Sequence, residues 1–170
     1  MGYCFEIVNT DVEEIYPEHL TPIQVVEYLS QLKLTPINFA AYPENALFIS
    51  CDTIVVLEDL ILGKPATEAE AIGMLRRLSG KTHQVISGIT IASLNQKITE
   101  HNITEVTFKK LSEEEIQYYI TNYQPYDKAG AYGIQEWIGL IGVTAINGCF
   151  YNVMGLPTPL LREMLFRIST

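Results

Sequence analysis

The sequence contains no G-x-G-x-x-G run and no G-x-x-x-x-G-K-[ST] run. That excludes the two commonest glycine-loop routes to a phosphate, the dinucleotide-binding fold and the P-loop. Cysteine is scarce: Cys4, Cys51 and Cys149 are odd in number, far apart and free of any C-x-x-C spacing. Zinc and dithiol redox chemistry are therefore not expected, and the three read as reduced core residues of a cytosolic protein. His19, His83 and His101 are too scattered to suggest a ligand set. No stretch reaches the roughly 18 uninterrupted apolar residues of a spanning helix, and M-G-Y-C-F-E-I-V lacks the basic start of a signal peptide. Cations are also few, 11 Lys and Arg against 20 Asp and Glu, for a net charge of −9. Neither duplex nucleic acid nor an anionic membrane is drawn to such a surface. Small phosphorylated ligands stay open, because a local group of lysines or a divalent ion can receive them.

What the chain does have is enough apolar residue, 48% over 170 positions, to bury a core as one domain. Its organising stretch is Leu47 to Leu57, L-F-I-S-C-D-T-I-V-V-L, nearly continuous in apolar character as a strand buried on both faces should be. Asp52 interrupts it. A buried unpaired charge costs several kcal/mol, so this carboxylate needs a cation, a set of donors or an opening to solvent. The plainer reading is an Asp at a strand end bonding a neighbouring loop.

Around this strand the pattern predicts a mixed α/β fold. Tyr3 to Asn9 alternates as a strand. Thr21-Pro22-Ile23-Gln24 opens a helix with a capping box and Pro at its first position, and Lys33 ends that helix near its buried side. Thr67 and Glu70 cap a second helix that Gly80 stops, with Ala71, Met74, Leu75 and Leu78 as its stripe. Gln84 to Leu94 and Ile103 to Lys110 read as a hairpin. Ser112 and Glu115 cap a third helix. Gln124 to Gln135 is a glycine-bearing loop. Trp137 to Ile146 and Cys149 to Met154 read as strands joined by Asn147-Gly148, and Thr158-Pro159 starts a last helix. Hairpins mixed with strand–helix alternation predict a mixed sheet flanked by helices.

Beyond the core, four clusters carry chemical groups: Ser50-Cys51-Asp52-Thr53, Gly63-Lys64-Pro65, Leu78-Ser79-Gly80-Lys81-Thr82-His83, and Asp127-Lys128-Ala129-Gly130-Ala131-Tyr132-Gly133-Ile134-Gln135. Lys64 alone is adequately explained as a solvated loop lysine, and the third cluster as a helix stop and turn. The last is harder to justify by packing; its small residues let backbone N–H groups approach a ligand.

Taken together, D-T-I-V-V-L, L-G-K-P, M-L-R-R-L-S-G-K-T-H, D-K-A-G-A-Y-G-I-Q and N-G-x-x-x-x-V-x-G-L-P (Asn147 to Pro157) resemble, in order and spacing, the Maf family of nucleoside triphosphate pyrophosphatases, known also by septum formation. The likeness runs from Phe5 onward, and the D-K-A-G-A-Y-G-I-Q form resembles the branch acting on dTTP and UTP. The resemblance implies an elongated mixed sheet with a cleft between two lobes, as in inosine triphosphatases. It implies Asp52 as general base and Lys64 as the lysine neutralising phosphate oxygens. Lys33, Lys128, Thr53 and Gln135 would bind substrate or choose the base, and Glu14 with Asp52 would hold a divalent cation, Mg²⁺ or Mn²⁺. The reaction implied is nucleoside triphosphate to monophosphate plus diphosphate, in the cytoplasm, by a chain that can form a homodimer. Two departures stand out. The family's A-S-x-S-P-R-R strand and loop, with its following helix, has no counterpart before F-E-I-V, and Glu136 stands where the family commonly has a small residue. The missing loop supports an alternative expectation: a non-catalytic, nucleotide-binding regulator linked to cell division.

Overall fold

A computed structural model describes residues 2–168. Helix α1 (Pro22–Leu32) starts as its sequence dictates. Thr21 accepts from the Gln24 amide and Gln24 answers the Thr21 amide, with Pro22 at the first turn. Strand β1 (Phe48–Leu57) follows and turns at Glu58, whose φ is 57°, into the short β2 (Leu60–Leu62). Helix α2 (Glu68–Leu78) is capped by Thr67, while the Glu70 carboxylate takes the Ala66 amide rather than that of Thr67. Gly80, at φ +72°, ends the segment as a left-handed glycine should. β3 (Thr82–Ala92) and β4 (Lys97–Phe108) form a long hairpin. Helix α3 (Glu113–Tyr123) carries the Ser112–Glu115 capping box. There follow α4 (Trp137–Gly142), β5 (Val143–Asn147), α5 (Phe150–Val153) and α6 (Thr158–Ile168).

The strands form one sheet in the order β2-β1-β3-β4-β5, and every pairing is antiparallel. The α/β class stands, while the expected mixture of strand directions does not appear: β1–β2, β3–β4 and β4–β5 are sequential antiparallel neighbours, and the crossover through α2 lays β3 antiparallel beside β1. Strand alternation divides the core. On one face Ile54, Val56 and Ile86 pack on Val26 of α1. On the other, Val55, Leu57 and Val85 meet Leu75 and Leu78 of α2 and Ile116, Tyr119 and Ile120 of α3. Farther along the same face, Ile89 and Ile91 are covered by Leu161, Met164 and Leu165 of α6.

Three expected strands are different. Residues 3–9 have no regular structure and leave Tyr3, Phe5, Ile7 and Val8 exposed; alternation alone makes no strand without a neighbour to complete its ladder. Most of the expected Trp137–Ile146 strand is the helix α4, with β5 only from Val143. The expected Cys149–Met154 strand is the helical turn α5. Its chain is held by long-range bonds that a hairpin would break: the Asn152 side-chain amide donates to the Val85 carbonyl at 2.9 Å, and the Cys149 amide to Thr104 Oγ1 at 3.0 Å.

One glycine sets how close α1 lies to the sheet. Gly88 is the cross-strand partner of Asp52, and a Cβ there would stand 2.4 Å from the Val26 carbonyl oxygen of α1. Gly88→Ala should therefore push α1 off the sheet and destabilise the fold by about 2 kcal/mol, as read by urea unfolding. A cost near zero would mean that the helix rests there without constraint.

Candidate active site

Asp52 shares a face with Ile54, Val56 and α1, where only 7% of it is exposed. The helix supplies its counter-charge. Lys33, the residue on which α1 ends, places Nζ 2.5 Å from Asp52 Oδ1 and donates to the Cys51 carbonyl at 3.4 Å. Glu14 bridges onward, its Oε1 3.1 Å from Lys33 Nζ and its Oε2 3.5 Å from Lys64 Nζ. Lys64 stands in the Gly63-Lys64-Pro65 link between β2 and α2, more than half exposed.

Burial pushes the Asp52 carboxyl above the usual carboxylate range, and Lys33 draws it back only in part. For Lys33 burial works against the charge, but Asp52 and Glu14 outweigh it and hold the ammonium above its ordinary value. Glu14 feels some burial, which the two lysines overcome to bring it below its ordinary range. An ionised acid, a firmly protonated amine and a carboxylate of raised basicity thus lie within one hydrogen-bonded chain.

The cleft wraps the edge of β1. Among the described residues β2 pairs with β1 only at Val55, Val56 and Leu57, so the stretch holding Asp52 has an edge free of a second strand. A cavity of about 230 Å³ lies there, with Lys33, Asp52 and Lys64 among its lining residues. Thr53 and Cys51 point to the opposite face, as alternation requires. Thr53 Oγ1 is 2.7 Å from Ser87 Oγ, and both Thr53 and Cys51 donate to the Gly155 carbonyl, at 3.4 and 3.0 Å. Burial pushes the Cys51 thiol up to about 12, so it stays a donor and not a nucleophile. Val55, Val85 and Val153 give this side an apolar floor.

The glycine-bearing loop closes the cavity opposite Asp52. The Gly130 amide donates to the Gly63 carbonyl at 3.0 Å, fastening the loop beside Lys64. Gly130 has φ +68°, and a Cβ on it would meet Val55 Cγ2 at 3.0 Å, which is why only a small residue serves. His83 holds Tyr132 through a 2.8 Å bond from its Nε2 to the phenol oxygen; burial lowers this imidazole to about 4, so it is neutral. Gln135 and Lys128 line the cavity, and Lys128 Nζ lies 2.9 Å from Asp127 and 3.2 Å from Glu136.

Asp52, Thr53, Lys33, Lys64, Lys128 and Gln135 thus line one cavity, and Glu14 reaches two of its lysines. Asp127 and Tyr132, within the glycine-bearing cluster, and the Met154–Gly155 turn also line it, though sequence reasoning assigned none of them a role at the site. G-L-P had marked that turn, but no local signal ties it to β1. A larger, open depression on the outer side of α3, lined by Glu113, Glu114, Gln117 and Tyr118 among others, gathers no cation and offers nothing to a phosphate chain.

The sequence profile of the Maf family, described as Maf-like protein, matches residues 1–168. The chain belongs to the Maf family. It is 46% identical over 154 residues to a dTTP/UTP pyrophosphatase of Flavobacterium psychrophilum, covering 91% of this chain and 78% of that protein. With the protein of the same description from Phocaeicola vulgatus the identity is 47% over 169 residues, 99% of this chain and 87% of the relative. The Cytophaga hutchinsonii dTTP/UTP pyrophosphatase is 47% identical over 164 residues, 96% and 74% of the two chains. Among the described residues no helix is long and apolar enough to cross a membrane.

Lys33→Met should cost about 3 kcal/mol of stability at pH 7, because it leaves Asp52 buried without a partner. The same substitution raises the Asp52 pKa further. Protonation then relieves the penalty as pH falls, and urea unfolding at pH 5 should show a smaller loss than at pH 7. Equal losses at both pH values would mean that the pair contributes packing and not charge.

Proposed function

We propose that this Maf-family chain acts as a single domain that hydrolyses dTTP or UTP to the nucleoside monophosphate and diphosphate. The observation that carries the proposal is the buried Asp52 carboxylate paired with Lys33, at the free edge of a strand and in a cavity that Lys64 also lines. The names of its close relatives point to the same activity and do not favour the non-catalytic alternative.

In this reading Asp52 accepts the proton of a water molecule whose oxygen attacks the α-phosphorus. A new P–O bond forms as the bond to the bridging oxygen breaks, and diphosphate departs. Lys33 and Lys64 exchange their Glu14 contacts for phosphate oxygens and neutralise charge as it develops. Lys128 meets the nucleotide from the opposite wall. Thr53 and Gln135, beside the apolar floor, discriminate the base.

Asp52 and Glu14 converge on one ammonium, and as hard oxygen donors they fit Mg²⁺ or Mn²⁺. Among the described residues no group of three His, Cys, Asp or Glu side chains is placed to hold a metal, so phosphate and water oxygens would complete the shell. Bound there, a divalent cation supplies further neutralisation of the phosphate chain. The cytoplasm as location, free nucleotide rather than a nucleic acid polymer as partner, and a homodimer as assembly belong to the same proposal.

Diphosphate release measured with dTTP, UTP and 7-methyl-GTP in the presence of Mg²⁺ tests it. Turnover should favour dTTP and UTP and fall by about 10³-fold in Asp52→Asn, in the range of a lost general base. Undiminished turnover in that variant overturns the assignment of the base. Nucleotide binding without turnover in the unsubstituted protein would establish the regulatory alternative instead.

A further inference from the structure

The turn that carries Gln135 is held by groups to which the proposed chemistry gives no part. Tyr119, on the inner side of α3, is fully buried, its ring stacked on Tyr123 with centroids 5.1 Å apart. A phenylalanine would pack the same way. The hydroxyl is placed for something else: it accepts the Gly133 amide at 3.0 Å and donates to Glu136 Oε2. Glu136 immediately precedes α4, yet its side chain makes no cap to that helix. Its carboxylate, only 21% exposed, turns back so that Oε2 takes the Tyr119 hydroxyl and Oε1 lies 3.2 Å from Lys128 Nζ.

The enclosure around Gly133 is tight. A Cβ there would meet Glu136 Cδ at 2.9 Å and Lys128 Cε at 3.0 Å. The Glu136 amide also donates to the Gly133 carbonyl at 3.0 Å, so the four-residue turn is closed by backbone and side chain together. Within it Ile134 is buried and Gln135 faces the cavity. A half-buried carboxylate is an expensive way to fill space, and here both of its oxygens are committed, one to the turn and one to a lysine of the cleft.

We propose that Tyr119 and Glu136 are positioning residues, a latch that fixes where Gln135 and Lys128 meet the nucleotide and so sets nucleotide affinity and base choice. This rests on the pyrophosphatase reading of the same cleft. The latch lies on the wall opposite Asp52 and Lys33 and makes no contact with them, so its loss acts on KM and leaves kcat nearly unchanged.

The test uses Tyr119→Phe, Glu136→Gln and Glu136→Leu in the full chain, with dTTP and UTP as substrates and CTP as comparator. Tyr119→Phe and Glu136→Leu should raise KM for dTTP about tenfold, the scale of one lost charge-assisted hydrogen bond, with kcat held within about threefold. Discrimination against CTP should narrow. Glu136→Gln should fall between, since its amide oxygen still accepts the Tyr119 hydroxyl. In nucleotide-free protein the Gly133 amide should exchange with solvent about tenfold faster in Tyr119→Phe. Unchanged KM in Tyr119→Phe and Glu136→Leu, or a lowered melting temperature with KM and exchange unmoved, overturns the latch. If the unsubstituted protein turns over no nucleotide, the pyrophosphatase reading fails, and amide exchange still decides whether the latch exists.

Discussion

The ion pair between Lys33 and Asp52 is the interaction on which the cleft depends. A carboxylate inside an otherwise apolar strand is tolerable only if a cation reaches it with good geometry, and that demand propagates outward. It requires α1 to end at the right height, which the Thr21–Gln24 box and Pro22 secure by fixing the start. It requires α1 to lie unusually close to the sheet, which Gly88 permits by having no side chain opposite Asp52. It leaves Lys33 with donors to spare, and Glu14 engages one of them and carries the contact on to Lys64.

A second constraint is the two-residue period of a strand. Because neighbouring residues of β1 face opposite ways, Asp52 and Thr53 stand on opposite sides of the sheet. Charge gathers on the α1 side, while Thr53, Val55, Val85 and the Gly155 turn make a mostly neutral wall on the other. A ligand with a polar chain at one end and a flat ring at the other can meet both only by passing around the strand's edge. That edge is open because β2 is three residues long and pairs only beyond Asp52. The cleft is therefore a consequence of a short hairpin, and strand geometry separates its charged side from its neutral one.

What the sequence made legible was whatever is determined locally. Capping boxes at Thr21 and Ser112, the stripe of α2, the glycine stop at Gly80 and the misplaced carboxylate all rest on residues within a turn of one another, and each is found in the structure. Where distant groups decide, local pattern misled. The run from Trp137 is apolar and glycine-bearing, which suits a strand as well as a helix. In the structure it coils, with Gly139 against the Ile134 carbonyl, where a Cβ would be 1.9 Å away, and Gly142 packed close to Phe108 of β4. Asn147-Gly148 promised a hairpin, but the chain is captured by Thr104, 45 positions from Cys149. Motif resemblance singled out residues that the structure gathers at one cavity; that Lys33 pairs with Asp52, and that Glu136 turns back to Tyr119, could be known only once α1 and α3 were packed.

Charge balance in the cleft bears on the reaction proposed for it. Lys33, Lys64 and Lys128 are the cations at hand, and Glu14, Asp52, Asp127 and Glu136 are paired with or adjacent to them, four carboxylates against three ammonium groups. Without a ligand this network is close to self-neutralised, consistent with a chain whose net charge is −9. A triphosphate brings several negative charges into it, and releasing the lysines from their carboxylates frees acids as well as donors. The lysines alone cannot neutralise both. In the proposed reaction the substrate would therefore enter as a complex with a divalent cation, and Glu14, once parted from Lys33 and Lys64, would serve as a ligand rather than remain an unpaired acid facing the phosphates.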